Sequence, residues 1–238
     1  MIRPIITAVL LLLTSCGGKP STVIAPEGLL AVLGPFPGFS ATDIPGDWTV
    51  EGDTPSEHQF TVVNKAGVPA LKIINGEEPF IVVRRIRAMM LATPFLSWSW
   101  NIEPPSTTGF HPMRLIVGFK ETDPETGGWV SQPYSLFGSG LPPHDRAISL
   151  TWGESALQRG TLSPPLDQDG RTAPRYTVRG GRENAGSWWQ ETVDLSELYT
   201  RTWPNADASG IQVVFIGIAA AGGRPAAEAF VSGIVLSR

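Results

Sequence analysis

The chain has 238 residues but one cysteine, three histidines and three tyrosines, and only 17% of it is charged. A lone cysteine excludes a disulfide within the chain, so the fold rests on its core alone. The histidines, His58, His111 and His144, are scattered without HxH or HExxH spacing, so no metal site is expected and each reads as a polar residue of a loop or strand end. Lys and Arg number 18 against 22 Asp and Glu, a net charge of −4 that lacks the basic face nucleic acid requires. No heptad run, collagen-like period or internal repeat is present, which removes fibrous and solenoid architectures. What is plentiful is apolar and turn-forming: 42% hydrophobic residues, 26 Gly, 22 Pro and eight Trp. That supports a real core in one large domain or two small ones.

The N-terminus carries a compartment signal. Arg3 precedes an apolar stretch over residues 5–13, which as a helix spans roughly 13 Å and is too short for a hydrocarbon core of about 30 Å. It reads as the h-region of a secretory signal. The following Leu13-Thr14-Ser15-Cys16-Gly17-Gly18 resembles the lipobox of bacterial lipoproteins. That resemblance implies removal of residues 1–15 and diacylglyceryl and fatty acyl (palmitate-type) groups on Cys16, enough chains for stable membrane attachment. Gly17, not Asp, after the cysteine implies the outer membrane, with the domain facing the periplasm. Residues 16–38 are then the lipidated cysteine and a Gly- and Pro-rich tether; a free coil of about 20 residues reaches about 25 Å r.m.s.. Leu29, Leu30, Val32 and Leu33 interrupt this tether and either pack back on the domain or rest near lipid, the first being the expectation.

Residues 39–238 read as one β domain. Strands are predicted over residues 58–64, 70–74, 80–87, 95–102, 113–120, 147–152, 175–179, 188–194, 211–219 and 229–236. The clearest alternation sets Leu96, Trp98, Trp100 and Ile102 against Ser97, Ser99 and Asn101, a strand with one face in the core. Residues 211–219 are apolar on both faces, which predicts a central strand covered twice. Residues 195–202 form the single predicted helix, ended before Pro204. Short strands punctuated by Gly and Pro, without βαβ spacing, predict an antiparallel β-sandwich or jelly roll.

The run Phe95-Leu96-Ser97-Trp98-Ser99-Trp100, followed by Pro104-Pro105, resembles the WxW strand of the bacterial secreted family catalogued as domain of unknown function 3047. The ordered motifs Ser149-Leu150-Thr151-Trp152-Gly153, Tyr176-Thr177-Val178-Arg179, Trp188, Val193-Asp194-Leu195, Trp203-Pro204 and the closing apolar strands extend that resemblance from Phe39 to Arg238. It implies a galactose-binding-like β-sandwich and no particular activity. Acidic stretches common in that family are replaced here by Thr108-Gly109-Phe110-His111-Pro112 and Ala219-Ala220-Ala221-Gly222-Gly223, so a carboxylate site shared with relatives is not expected.

Few residues suggest catalysis. Gly153-Glu154-Ser155-Ala156-Leu157 approaches a nucleophile elbow but ends in Leu157 and follows no strand that leads into a crossover helix. Asp167-Gln168-Asp169-Gly170 starts like a calcium loop and then lacks its later ligands, so it reads as a polar turn. Glu103, Asp123, Glu154 and Glu191 read as solvated carboxylates, since spacing pairs none of them at the separation glycosidases need. Trp188 and Trp189 are adjacent, so on a strand they face opposite ways and one leaves the core. Trp129, after Gly127-Gly128, and Tyr134 are loop aromatics of the kind that stack on sugar rings. The expectation is a non-catalytic, cofactor-free, lipid-anchored envelope protein that binds a glycan or another envelope component through Trp129 and Tyr134. A polysaccharide hydrolase or lyase on the same fold, or a structural lipoprotein that binds protein, is the alternative.

Overall fold

The computed structural model describes residues 28–34, 38, 40–104, 106, 108–121, 140–165, 172–223 and 225–238. Its strands in chain order are β1 (Leu30–Leu33), β2 (Trp48–Gly52), β3 (Phe60–Lys65), β4 (Val68–Ile74), β5 (Phe80–Met89), β6 (Phe95–Ile102) and β7 (Met113–Glu121). They continue with β8 (Arg146–Gly153), β9 (Leu162–Ser163), β10 (Arg175–Gly180), β11 (Trp188–Asp194), β12 (Ile211–Ala220) and β13 (Glu228–Ser237). Helix α1 (Leu195–Thr202) follows β11, and two short 3-10 turns lie at Ala156–Gln158 and Arg182–Asn184. Among the described residues no helix is long and apolar enough to cross a membrane.

Two sheets face each other. Sheet I runs β11-β6-β13-β4-β3, and sheet II runs β2-β5-β12-β7-β8-β10-β9. Strand β13 meets β6 along one side; on the other it pairs with β4 over Glu228 to Val231 and with β1 over Ile234 to Leu236. The predicted tether therefore contributes a strand: Leu30, Val32 and Leu33 are buried as expected, whereas Leu29 remains 47% exposed. Arg84 of β5 ties that strand to sheet II by donating to the Ala31 carbonyl (2.8 Å) and pairing with Asp47 (3.0 Å).

Alternation places Leu96, Trp98, Trp100 and Ile102 of β6 inward, all essentially inaccessible to solvent. They join Val82, Leu115, Val117, Leu150, Trp152, Ile216 and Ile218 from sheet II in one core. Trp100 sits edge-on between Trp98 (5.4 Å) and Trp152 (5.6 Å), joining the sheets by aromatic contact. Burying each large aliphatic or aromatic side chain contributes about 1.5–3 kcal/mol. Strand β12 is central and covered twice, as its sequence predicts: its outward Phe215 and Ala219 join Ile81, Val83, Ile116 and Leu141 in a second cluster. Gly118 is required under Phe215, because a Cβ there lies 2.0 Å from the ring.

The expected all-antiparallel pairing has one exception, since β10 runs parallel to β8. After β8 the chain turns back into β9 at the sheet edge, and β10 then inserts between them, antiparallel to β9. Helix α1 occupies the predicted residues. The Asp194 side chain caps it by accepting from Ser196 N and Glu197 N, and Trp203 ends it before Pro204. Tyr199 and Trp203 pack with Phe119 and lie under Arg146, closing the core at the end termed here the helix pole. Gly153, Gly180 and Trp188 mark the far pole.

Candidate functional site

A β-bulge reshapes the interior at the far pole. Thr177 pairs with Thr151 and Arg179 with Trp152, leaving Val178 as the extra residue. Regular alternation from Arg175 and Thr177 sends Arg179 outward; the bulge turns it into the sandwich. There it meets Glu191, which occupies an inward position of β11 opposite Trp98 and is 3% exposed. Glu191 Oε1 accepts from Trp100 Nε1 (3.2 Å) and Arg179 Nε, Oε2 accepts from Arg179 Nη2 (3.4 Å), and Arg159 Nη2 approaches Oε2 at 3.7 Å. The guanidinium of Arg179 lies 3.8 Å from the centre of the Trp189 ring. These donors occupy the carboxylate, so it links the sheets and leaves no free general acid or base. This corrects the reading of Glu191 as solvated; an inward β11 position buries it and the bulge supplies its counter-charge.

The outer face of sheet I differs in character. Trp188 points outward and Trp189 inward, as adjacency requires, with Trp189 Nε1 donating to Asn184 O (2.7 Å). Register sets rows across the face: Trp188, Asn101 and Phe230; then Gln190, Ser99 and Ser232; then Thr192, Ser97 and Val235. The first row is roofed by the β3–β4 hairpin tip. Trp188 Nε1 donates to Lys65 O (3.0 Å), although β11 and β3 are opposite edges of the sheet. Lys65 Nζ sits 4.6 Å from the Phe230 ring centre and forms an ion pair with Glu103. The tip can fold over because β4 leaves β13 beyond Leu71, where Ser232 Oγ donates to Pro69 O (2.9 Å). Its turn has positive φ at both Ala66 and Gly67 (53° and 85°), the backbone that suits a two-residue hairpin.

Beyond the roof the next two rows stay open over β11 and β6. Gln190 and Thr192 are exposed, Ser97 and Ser99 half-buried, and Ser97 Oγ lies 2.8 Å from Thr192 Oγ1. On β11 and β6 these rows hold hydroxyl and amide groups without formal charge, spaced about 4.8 Å between strands and about 6.8 Å along them; on β13 they end in the buried Ser232 and the apolar Val235. Under the roof, Asn101 Oδ1 is buried without a hydrogen-bond partner among the described residues. The outer face of sheet II, by contrast, carries a buried apolar cluster around Phe215.

Cys16, Trp129, Tyr134 and the polar turn at 167–170 lie outside the described residues. Ser155 is a capping residue: its Oγ accepts from Leu157 N (3.2 Å), and Gln158 Oε1 accepts from Ser155 N (3.3 Å). His58 is exposed as expected, but His111 and His144 are buried, a correction to their reading as polar loop residues. Burial lowers the His111 pKa to about 4 against an opposing pull from the Glu228 carbonyl, and burial likewise lowers that of His144. Among the described residues no three His, Cys, Asp or Glu side chains could together hold a metal. A cavity of about 50 Å³ between Thr108, Trp152, Glu154 and Arg182 has room for a few waters and not for a sugar ring. The open rows went unread as a site, although the serine alternation of β6 signalled a polar face.

The family described as "Protein of unknown function (DUF3047)" matches residues 47–235. No curated protein matches the chain. Solved β-sandwiches are similar at low identity. A family 11 carbohydrate-binding module from Clostridium thermocellum, in complex with a β-1,3-1,4-mixed-linked tetrasaccharide, has 10% identity and TM-score 0.37 over 84% of this chain and 93% of that one. The K2 cleaved adhesin domain of Lys-gingipain has 8% identity and TM-score 0.42 over 88% and 98%. Trichoderma harzianum endoglucanase 3 of family GH12 has 9% identity and TM-score 0.37 over 90% and 99%.

Proposed function

The chain belongs to the DUF3047 family of proteins of unknown function, and from that premise we propose that it is a lipid-anchored, non-catalytic glycan-binding protein of the bacterial envelope, built on a galactose-binding-like β-sandwich. In this reading Cys16 carries the acyl chains and the domain faces the periplasm from the outer membrane. The glycan lies across the open rows of sheet I, against the edge of the hairpin roof. The observation that carries this reading is the uncovered, uncharged array of Gln190, Thr192, Ser97 and Ser99 on a rigid sheet beside Trp188. Neutral donors and acceptors at strand spacing suit the hydroxyls of a sugar chain, which offer many hydrogen bonds and no charge.

Binding is favoured over hydrolysis because three of the candidate reactive groups have other duties. Glu191 is held by Arg179 and Arg159, Ser155 caps its turn, and His111 is sealed in the interior. Trp129 and Tyr134 stand as the alternative proposed contact, an aromatic one in place of the open rows. The test is a glycan array on the protein, followed by titration of the best ligand against wild type and Gln190→Ala and by an assay for released reducing ends. Binding without cleavage, weakened about fivefold by Gln190→Ala, is the expected result. Absence of binding to every glycan, or cleavage of the ligand, overturns it.

A further inference from the structure

Seven large apolar side chains are at least 36% exposed among the described residues, and four of them, Leu29, Met89, Leu91 and Phe95, stand at the helix pole. Register groups them. Leu30 is opposite Leu236, itself opposite Leu96, and Ser237 is opposite Phe95, so Leu29 and Phe95 reach the same end of sheet I. Strand β5 ends at Met89, and Ala92 N and Thr93 N both donate to the Met89 carbonyl (3.0 and 3.2 Å). That tight connection buries Met90 and Thr93 and leaves Leu91, which lies between Met89 and Phe95 in the chain, 54% exposed. Arg87, two residues before Met89, is also exposed, and the Arg238 side chain packs against Gly28 at the start of β1. The pole therefore combines apolar tips with guanidinium groups beside them. That is the composition of a surface seated at the headgroup boundary of a bilayer, where apolar side chains dip and basic ones meet anionic lipid.

We propose that the helix pole docks on the surface of a phospholipid bilayer through Leu29, Leu91 and Phe95, flanked by Met89, Arg87 and Arg238. The position of the N-terminal strand identifies this occupant. The segment between Cys16 and Gly28 cannot exceed roughly 43 Å at about 3.6 Å per residue, and it enters the domain at this pole. An acylated Cys16 therefore tethers the exposed apolar pole closest to the bilayer. The inference rests on the acylation of Cys16 proposed above. Docking this way points the far pole, with Trp188 and the hairpin roof, away from the membrane.

The test uses the full acylated protein in vesicles of phosphatidylethanolamine and phosphatidylglycerol. With the thiol of Cys16 alkylated, a cysteine introduced by Leu91→Cys or Leu157→Cys is the single site for an environment-sensitive fluorophore. Leu157 is 93% exposed beyond the far end of β8 and serves as the distant control. The intact mass of the same sample reports acylation separately. The expected result is a blue-shifted label at position 91, quenched several-fold more strongly by lipids spin-labelled near the headgroup than the label at 157. Equal quenching at the two positions in protein of acylated mass overturns the docking while leaving the anchor standing. A mass without acyl chains overturns the anchor and removes the basis of the docking with it.

Discussion

Arg179 and Glu191 meet inside the sandwich from opposite sheets, brought together because a bulge at Val178 turns the arginine inward. The pair is nearly inaccessible to solvent, with the Glu191 side chain 2% and the Arg179 side chain 11% exposed. Removing one partner strands a buried charge, so Arg179→Ala is expected to lower stability by about 3–5 kcal/mol. Replacing both, Arg179→Met with Glu191→Leu, is expected to recover most of that loss. Urea denaturation of the two variants checks this; a double variant no more stable than Arg179→Ala defeats the view that the carboxylate serves only as a cross-sheet tie.

Trp98 and Trp100 are buried on the same face of β6, but they differ at the indole nitrogen. Trp100 Nε1 donates to Glu191, whereas Trp98 Nε1 has no partner among the described residues. Either Trp→Ala change is expected to cost about 3–5 kcal/mol. Substitution by Phe separates them: Trp100→Phe also removes a donor to a buried carboxylate, an extra loss of about 1–3 kcal/mol, while Trp98→Phe loses only packing. Equal melting points for the two Phe variants contradict this difference.

How much of this was legible in the sequence depends on whether local pattern or distant pairing decides. Strand β6 and helix α1 lie at their predicted bounds because the Leu-Trp-Trp-Ile alternation and the Asp194 cap with its Pro204 stop are local signals. Strands β1, β2 and the two-residue β9 are not predicted, the first because four residues among Gly and Pro become a strand only by pairing with β13. The parallel pairing of β10 depends on the path of β9, which alternation does not encode. At the candidate site the polar serines of β6 were visible, but their company with Gln190 and Thr192 is a matter of register with β11. The hairpin roof needs Lys65 to cross the sheet, and the inward turn of Arg179 needs a bulge that no single residue announces.

Acid is expected to weaken the fold through His111. Its pKa is about 4 in the folded protein and 6.5 as the ordinary value, so between these the unfolded chain binds the extra proton. Stability therefore falls as pH drops from about 6.5 toward 4, by up to about 3 kcal/mol, and is unaffected by this group above that window. His144, shifted the same way, adds to the slope. Because His111 Nδ1 accepts from Met113 N (3.2 Å), Asn offers a similarly placed acceptor without a titrating ring. His111→Asn should flatten the pH dependence of the urea midpoint over that window; an unchanged slope shows that His111 does not drive it.

The two proposed glycan contacts make opposite predictions and can be separated on one ligand. If the sugar chain lies on the open rows of sheet I, Gln190→Ala and Thr192→Ala each remove one neutral hydrogen bond, about 1 kcal/mol or roughly fivefold in affinity. Both side chains are exposed, so melting temperature should stay near that of wild type. Trp129→Ala should then leave affinity unchanged. If the ligand instead stacks on Trp129, losing that ring should weaken binding by about 1–3 kcal/mol, tenfold or more, while the two sheet variants bind as wild type. Titration and thermal melting on the same samples distinguish a lost contact from a lost fold. Full affinity in both sheet variants rules out the open face of sheet I as the binding surface, whatever Trp129 does.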